Sequence, residues 1–536
     1  MIKIIYKDVA VGSREAFEPT ATSADAISHI NEIPFGNQTF PRFATTGELN
    51  SMLLDGSASA FPDDESNDYI GLWSNTLSDK NGDFVSPLVL TMSADGYYSS
   101  QGITLYFGDN HASAVNIKWY RGDELLSDVD FLPDASEYFC ENKIDSYDKI
   151  VVTFISSVFP CQRIKLQGIM HGRVRIFSGR ELTDTAVIQE CSPISAELAI
   201  NTLDFTLIGD EDINYLFQRK QSLELYNNTD LLGVFFVSEY NRISERFYDV
   251  SAEDYIGLLD AVEFTGGIYV DRNAYELLTV IFDGANIPFT IDEALKSKTV
   301  TGWLPICSCR EAVRQICFAV GAAVDTTRSE TVRIFLPSET VIHSYGLGEI
   351  MQGLKNTDRD KKLTELRLTV YGYAQSSETM SVFNAKDDGV GDGICVRFSE
   401  PLHSLTITNG EIVEFGANYA VINASDGCTV TGSKYTRTSR IRSKRNPIVN
   451  VGDPQNVVTI SDMTLISASN ADERLEALYN YYAVQGNITG ELVISGQRPG
   501  DKIEIATTND STTTARIESM RYNLYGGAIV AEVNAR

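Results

Sequence analysis

The stretch FYDVSAEDYIGLLDAVEFTGG, residues 247–267, opens like a strand, breaks into an acidic turn and stops at two glycines. Val234 to Tyr240 and Phe247 to Val250 are short runs rich in aromatic and β-branched residues on either side of a polar turn, the pattern of a β-hairpin. Ser251 and Asp254 then read as a capping-box-like start for a short helix carrying Ile256, Leu258 and Leu259. Gly266 and Gly267 fit the glycine stop of such a helix. The segment is a strand of a β-domain that hands the chain to a plug helix, and its acids Glu253 and Asp254 are caps before they are catalysts.

Outward from this segment the chain stays mainly β. Residues 1–45 alternate weakly, hold Pro19, Pro34 and Pro41, and predict an extended arm or a small strand pair. Residues 46–172 carry YIGLWS, PLVLTM, GITLYFG, VNIKWYR, KIVVTFI and QRIKLQGI between turn residues, which predicts a jelly-roll-like β-sandwich. A first β-barrel spans 173–270, an α/β connecting domain 271–361, and a second β-barrel with one helix 362–536. In the connecting domain Tyr275, Leu278, Ile281, Phe282 and Ala285 recur at helical spacing. Ser308 with Glu311 opens another helix, striped by Val313, Ile316, Cys317 and Val320. Asn470 and Glu473 cap a later helix whose Leu475, Leu478, Tyr479 and Tyr482 face inward, ending at Gly486.

Two of the β-rich blocks share an order. QRKQSLELYNN followed by GVFFVSEYNRISERFYDVSA resembles QRPGDKIEIATTND followed by ARIESMRYNLYGGAIVAEVNA: strand, polar loop, strand, turn, strand. This predicts two copies of one barrel. No short repeat period occurs, so the pattern is a domain duplication and not a solenoid.

Composition bounds the function. At 536 residues the chain needs several cores, and 43% apolar with 10% aromatic residues place it among folded globular proteins. Against 44 Lys and Arg stand 73 Asp and Glu, a net charge of −29, which opposes binding to nucleic-acid phosphates or anionic membranes. Eight scattered cysteines lack the dense spacing of a disulfide scaffold and point to free thiols in a reducing compartment. Lys7 and Asp8 interrupt any signal-peptide core, and no run reaches membrane-spanning length. A soluble protein made in the cytoplasm is expected.

Motifs for chemistry are thin. The histidines, His29, His111, His171, His343 and His403, stand in no recognisable catalytic context, and no nucleophile elbow, zincin or phosphate-loop motif occurs. Cys307 and Cys309 form C-x-C with Cys317 nearby, yet a fourth zinc ligand is missing and Cys317 lies on an apolar stripe. Asp387, Asp388 and Asp392 offer oxygen ligands without the EF-hand spacing, so NAKDDGVGDG reads as an exposed loop. The tripeptide Arg121, Gly122, Asp123 reads as a hairpin turn. No catalytic residue, metal or cofactor is expected. Trp73, Tyr97, Tyr98, Trp119 and Tyr120 supply the aromatic faces that sugar-binding jelly rolls use, although strand alternation turns one of Trp119 and Tyr120 inward.

From about residue 172 to 536 the chain resembles the baseplate-hub family of bacteriophage tails, the N-terminal module of siphophage tail-associated lysins. The resemblance is carried by GVFFVSEYNRISERFYDVSAEDYIGLLDAVEFTGG, GWLPICSCREAVRQICFAVGAAV and RPGDKIEIATTND with ARIESMRYNLYGGAIVAEV. It implies two similar barrels per chain and a homotrimer whose barrels form a pseudo-hexameric ring at the virion tail tip. It also implies a distal tail or tail-tube ring, spike or fibre components and the tape-measure protein as partners, with genome DNA crossing the lumen without specific binding. An acidic channel wall would repel that DNA. The sandwich before residue 172 lies outside the minimal hub, and no peptidase or lysozyme extension follows the second barrel, so lytic activity is not expected. The rival readings are a carbohydrate-binding adhesin acting on a host-surface glycan through the sandwich, and a glycoside hydrolase with an unrecognised carboxylate pair.

Overall fold

The computed structural model describes residues 2–22, 43–44, 47–49, 59–60, 72–107, 110–209, 217–351, 354–358, 362–447, 455–484, 486–506, 511–524 and 530–536. The chain is mainly β and divides into two compact units, one of residues 4–177 with 210–223, the other of 1–3, 178–209 and 224–536.

The arm consists of strand Ile2–Val9, which belongs to the first unit from Ile4 on, a single helical turn Ser13–Ala16 and strand Glu18–Thr22; Pro34 and Pro41 lie outside the described residues. Its main body is a seven-stranded sheet, ordered Leu72–Trp73, Lys165–Met170, Asp83–Phe107, Glu137–Ser157, Ala112–Arg121, Glu124–Phe131, with Glu18–Thr22 also on Asp83–Phe107. Every pairing in it is antiparallel. The separately expected runs PLVLTM and GITLYFG are one strand. The polar SADGYYSSQ between them does not turn the chain back; it stays paired to Glu137–Ser157 through register shifts between Ser93 and Gly102. Such bulges bend a strand without ending it. Gly102, at φ +146°, allows the approach, since a Cβ there would meet the Cys140 carbonyl oxygen at 2.2 Å. Alternation on Ala112–Arg121 sends Val115, Ile117 and Trp119 into the core with Leu105, Ile150, Val152 and Phe154.

The same five-strand arrangement occurs twice, in strands that belong to the second unit apart from Ser222 and Leu223. The first set is Leu182–Glu190, Thr202–Ile208, Ser222–Asn227, Asp230–Arg242 and Phe247–Glu253; the second is Lys355–Asp358, Gly486–Val493, Lys502–Ala506, Thr512–Asn523 and Val530–Ala535. In both, the spatial order is third, fourth, fifth, second, first. Local features repeat with it. The fourth strand carries a register shift against the fifth between Val237 and Glu239 in one set and between Ile517 and Ser519 in the other. Each first strand follows a 3-10 turn, Gly179–Glu181 or Leu347–Glu349, whose glutamate accepts the backbone N–H three residues earlier at 3.0 Å, Glu181 from Ser178 and Glu349 from Gly346. A bulge and a capped turn at matching places are sequence-specific devices, so their recurrence marks a duplication.

Between the sets lies a helical layer. Helices Tyr255–Asp260, Ala274–Gly284, Cys309–Val320 and Ala471–Ala483 bury Leu259, Leu278, Ile281, Phe282, Val313, Ile316, Cys317 and Leu478 in one cluster. Ser308 caps its helix by accepting the Glu311 N–H at 3.3 Å, but the Glu311 carboxylate turns to Arg314 at 2.7 and 2.8 Å instead of closing a capping box. Asn470 stands at the N-cap position as expected, but its side chain makes no capping hydrogen bond: its amide accepts from Ser467 N at 2.9 Å and donates to the Ala319 and Leu465 carbonyls. Gly266 and Gly267 do not end the Tyr255–Asp260 helix either, because strand Glu263–Phe264 intervenes. Gly266, at φ +63°, exists for close packing, since a Cβ would lie 2.1 Å from the Leu304 carbonyl oxygen. A further five-stranded sheet is inserted between the first two strands of the second set, built on the long strands Glu365–Asn384 and Tyr419–Arg445.

Candidate functional site

The two sets meet along one strand junction. Leu182–Glu190 of the first set pairs antiparallel with Thr512–Asn523 of the second, Val187 opposite Tyr522 and Gln189 opposite Met520. These four side chains are fully buried, and Gln189 satisfies its amide by donating to the Leu232 carbonyl at 2.7 Å. The junction is therefore a permanent, core-like contact. Sequence reasoning finds the strands but not this pairing, because partners 329 to 337 positions apart leave no local signal.

Asp254, within the segment that opens the chain's reading, is buried where strand becomes helix. Its carboxylate accepts the Ile256 N–H at 3.0 Å and the Thr326 hydroxyl at 2.5 Å, and Thr326 in turn accepts from the Asn201 amide at 2.8 Å. Burial pushes its pKa up to about 7, against which these hydrogen bonds pull down. Ser251 serves the sheet and not the helix, donating to Asp204 at 2.7 Å. Asn418 is a second tie that no motif announces: it accepts the Trp303 indole N–H at 2.7 Å and donates to the Thr265 and Leu304 carbonyls at 2.7 and 2.8 Å.

The aromatic candidates do not gather into a platform. Trp119 is fully buried, packed edge-on against Phe131, and Trp73 is 4% exposed under the Lys165 ammonium. Tyr98 packs against Phe17, Tyr120 carries the Lys149 ammonium over its ring, and Tyr97 alone of the five stands well out, at 66% exposure. Arg121, Gly122 and Asp123 do form a hairpin turn, with Arg121 donating to the Ser146 and Asp145 carbonyls and Gly122 to Asp148.

The groups with chemical potential are separated. His171 is buried beside Tyr147, His343 pairs with Glu349 at 3.1 Å, His111 and His403 bond their own neighbours, and His29 lies outside the described residues. All cysteines are free, and burial pushes the Cys307 and Cys317 thiols up to about 12. Asp388 accepts the Asn384 N–H at 2.9 Å and closes the short helix Ala385–Asp388 where a plain loop is expected. Among the described residues no group of three or more His, Cys, Asp or Glu could hold a metal ion. A cleft of about 630 Å³ is lined by Arg474, Lys502, Arg516 and Arg536, but Lys502 and Arg516 share Glu339 and Arg536 faces Glu518. Among the described residues no helix is long and apolar enough to cross a membrane.

No protein-family model and no curated protein matches this chain. Among solved structures it is similar to a tail protein from Neisseria meningitidis MC58, with TM-score 0.43 and 9% identity over 67% of this chain and 93% of that one. It is also similar to the 43 kDa tail protein of prophage MuSo2 from Shewanella oneidensis, with TM-score 0.41 and 8% identity over 68% and 95% of the chains. Prophage tail protein gp18 from Listeria monocytogenes EGD-e gives TM-score 0.39 and 9% identity over 68% and 91%.

Proposed function

We propose that this chain is a structural, non-catalytic hub at the tip of a bacteriophage or phage-like tail. It acts as a homotrimer that adapts a sixfold tail tube to threefold tip components and opens or closes the DNA channel. One observation carries the reading: two five-strand sets of identical order, each with the same bulge and the same glutamate-capped entry turn, lie in one polypeptide. A chain with two equivalent modules gives a threefold assembly six equivalent positions, the symmetry match a tube adaptor requires. In this reading the distal tail-tube ring sits on the ring of sets, the tape-measure protein enters from the tube, and spike or fibre components hang below. In this reading the first unit touches neighbouring tail proteins or binds a surface glycan. Genome DNA passes without specific binding, consistent with a net charge of −29.

The test is localisation together with mass. Antibody raised against the chain is expected to label tail particles at the tip, and the purified chain or the tip complex is expected to hold three copies of the 59.2 kDa polypeptide. Label along the tail shaft, or on the capsid, would retire the hub. A monomer in dilute solution would not, since assembly on the tail follows mass action.

A further inference from the structure

Independently of the hub reading, we propose that the cleft of about 630 Å³ walled by helix Ala471–Ala483 binds a small organic oxyanion, a carboxylate or phosphate on a partly apolar body, through the buried guanidinium of Arg474.

Arg474 stands on the buried face of its helix, one turn before Leu478, where an apolar residue is the usual occupant. It is 5% exposed, and its guanidinium makes no hydrogen bond and no ion pair among the described residues; Nε is wholly enclosed without an acceptor. The carboxylate that acts on its charge, Glu473, is bonded to Lys298 at 3.3 Å. Burial pulls the Arg474 pKa down, yet a guanidinium in a protein stays charged and carries five N–H donors. A buried cation without an anionic partner is costly, and an oxyanion entering the cleft supplies that partner.

Two features hold the guanidinium in place without using its donors. The Phe318 ring lies 5.7 Å from it. The C-terminal end of helix Cys309–Val320, closed by Gly321 at φ +81°, favours a cation beside it. A Cβ at Gly321 would collide with Arg474 Nη1, so the glycine makes room for the arginine. The carbonyls at that helix end are taken by others: the Asn470 amide donates to Ala319 at 3.2 Å and the Ala322 N–H to Cys317 at 2.9 Å. The edge of the guanidinium is left for a ligand.

The rest of the cleft fits the same ligand. Lys502 and Arg516 bond Glu339 at 2.7 and 2.8 Å, and Arg516 also donates to the Gly500 and Ser338 carbonyls at 2.8 and 2.9 Å. Arg536 lies over the Tyr481 ring, 3.9 Å from Glu518. These cations have acids of their own and still set the local field: four cationic side chains line the cleft against the two carboxylates Glu339 and Glu518, in a chain whose net charge is −29. A locally positive cleft in an acidic protein selects anions. Ile194, Leu336 and Ala477 add apolar wall, and the volume falls within the roughly 300–1,000 Å³ of small-molecule sites. The planar fork of an arginine takes a carboxylate or a phosphate through two parallel hydrogen bonds.

Calorimetry on the full chain at fixed ionic strength tests it, with phenylacetate and phenyl phosphate as probes. At least one is expected to bind, one molecule per chain, and which of them binds tells whether the site prefers a carboxylate or a phosphate. Arg474→Met is expected to weaken that binding by at least about tenfold, while melting at or above the wild-type temperature because a buried unpaired charge is gone. Lys502→Gln, at a partly exposed position, is expected to weaken it by about threefold through the lost local charge. Arg440→Gln, at an exposed position on strand Tyr419–Arg445, is expected to leave it unchanged. No heat from either probe at about 10 mM would overturn the site. So would an affinity unchanged in Arg474→Met, or one that Arg440→Gln lowers as much as Arg474→Met does. Should Arg474→Met not fold, an affinity unchanged in Lys502→Gln has the same force.

Discussion

The buried carboxyl of Asp254 makes the stability of the second unit depend on pH in a calculable way. Its pKa in the folded chain is about 7, against the usual 3.8, because burial disfavours the charged form. The folded state therefore holds this proton where the unfolded state has lost it. The sign follows: the contribution is complete below the unfolded value and is lost as pH rises through about 7. With ~1.4 kcal/mol per pKa unit, the full change is ~4 kcal/mol, of which ~3 kcal/mol falls between pH 5 and 8. Asp254→Asn removes the ionisation and keeps an oxygen to accept the Ile256 N–H, while its amide faces the Thr326 hydroxyl, which can accept. The variant is expected to be equal to or weaker than the wild type at pH 5 and more stable at pH 8. Hydrogen exchange in denaturant, followed through peptides of helices Tyr255–Asp260 and Cys309–Val320, reads this unit separately from the other. If the difference between variant and wild type stays constant from pH 5 to 8, Asp254 does not titrate in the fold and the reasoning fails.

Three further expectations concern the first unit. His171 is buried, stacked on Phe17 at 4.2 Å and bonded to Tyr147 at 3.1 Å, and burial lowers its pKa to about 3; because the folded value is depressed, stability is lost as pH falls below about 6.5, and exchange in Glu137–Ser157 should rise at pH 4.5 in the wild type and not in His171→Phe. Asp8 is buried and holds Arg175 at 2.9 Å, so Arg175→Ala strands a carboxylate and should cost ~3–5 kcal/mol by denaturant titration, a loss that Asp8→Asn added to Arg175→Leu should largely recover. For glycan binding, Trp119→Ala empties the core and should cost ~3–5 kcal/mol, so loss of binding in it means unfolding. Tyr97→Ala, at an exposed site, should leave the melting temperature unchanged, and array binding that survives it would remove the adhesin reading through that face.

The elements legible in the sequence are those whose signal is local. Helix Ala274–Gly284 follows its apolar spacing, Asp254 caps where a capping residue stands, and the strand order of the duplicated segments is readable from turn residues between apolar runs. What escapes is set by distant partners. SADGYYSSQ has turn composition, yet Glu137–Ser157 holds it in the sheet through bulges. Asn470 has a cap's identity and position, but the Ala319 and Leu465 carbonyls claim its amide. Gly266 resembles a helix stop, and its real constraint is the backbone of Leu304. The aromatic candidates show the same limit: alternation says that one of Trp119 and Tyr120 turns inward, while only the packed sheet says that it is Trp119.

The internal junction and the equivalent stretches elsewhere in the doubled fold differ in chemistry. The junction inside the chain is mainly apolar on its buried side, with Val187, Met520 and Tyr522 at 0% exposure beside the hydrogen-bonded Gln189. The equivalent stretches carry exposed Lys355, Asn356 and Thr357 on one strand and exposed Glu239, Asn241 and Arg242 on the other. Polar and charged side chains on such strands keep a free chain from pairing indiscriminately with other sheets. Replacing Asn356 and Arg242 with valine and tyrosine, the residues of the internal junction, puts large apolar side chains on exposed strands and should promote association of the chain, visible as a concentration-dependent rise in sedimentation rate; a sedimentation rate unchanged from the wild type would refute this.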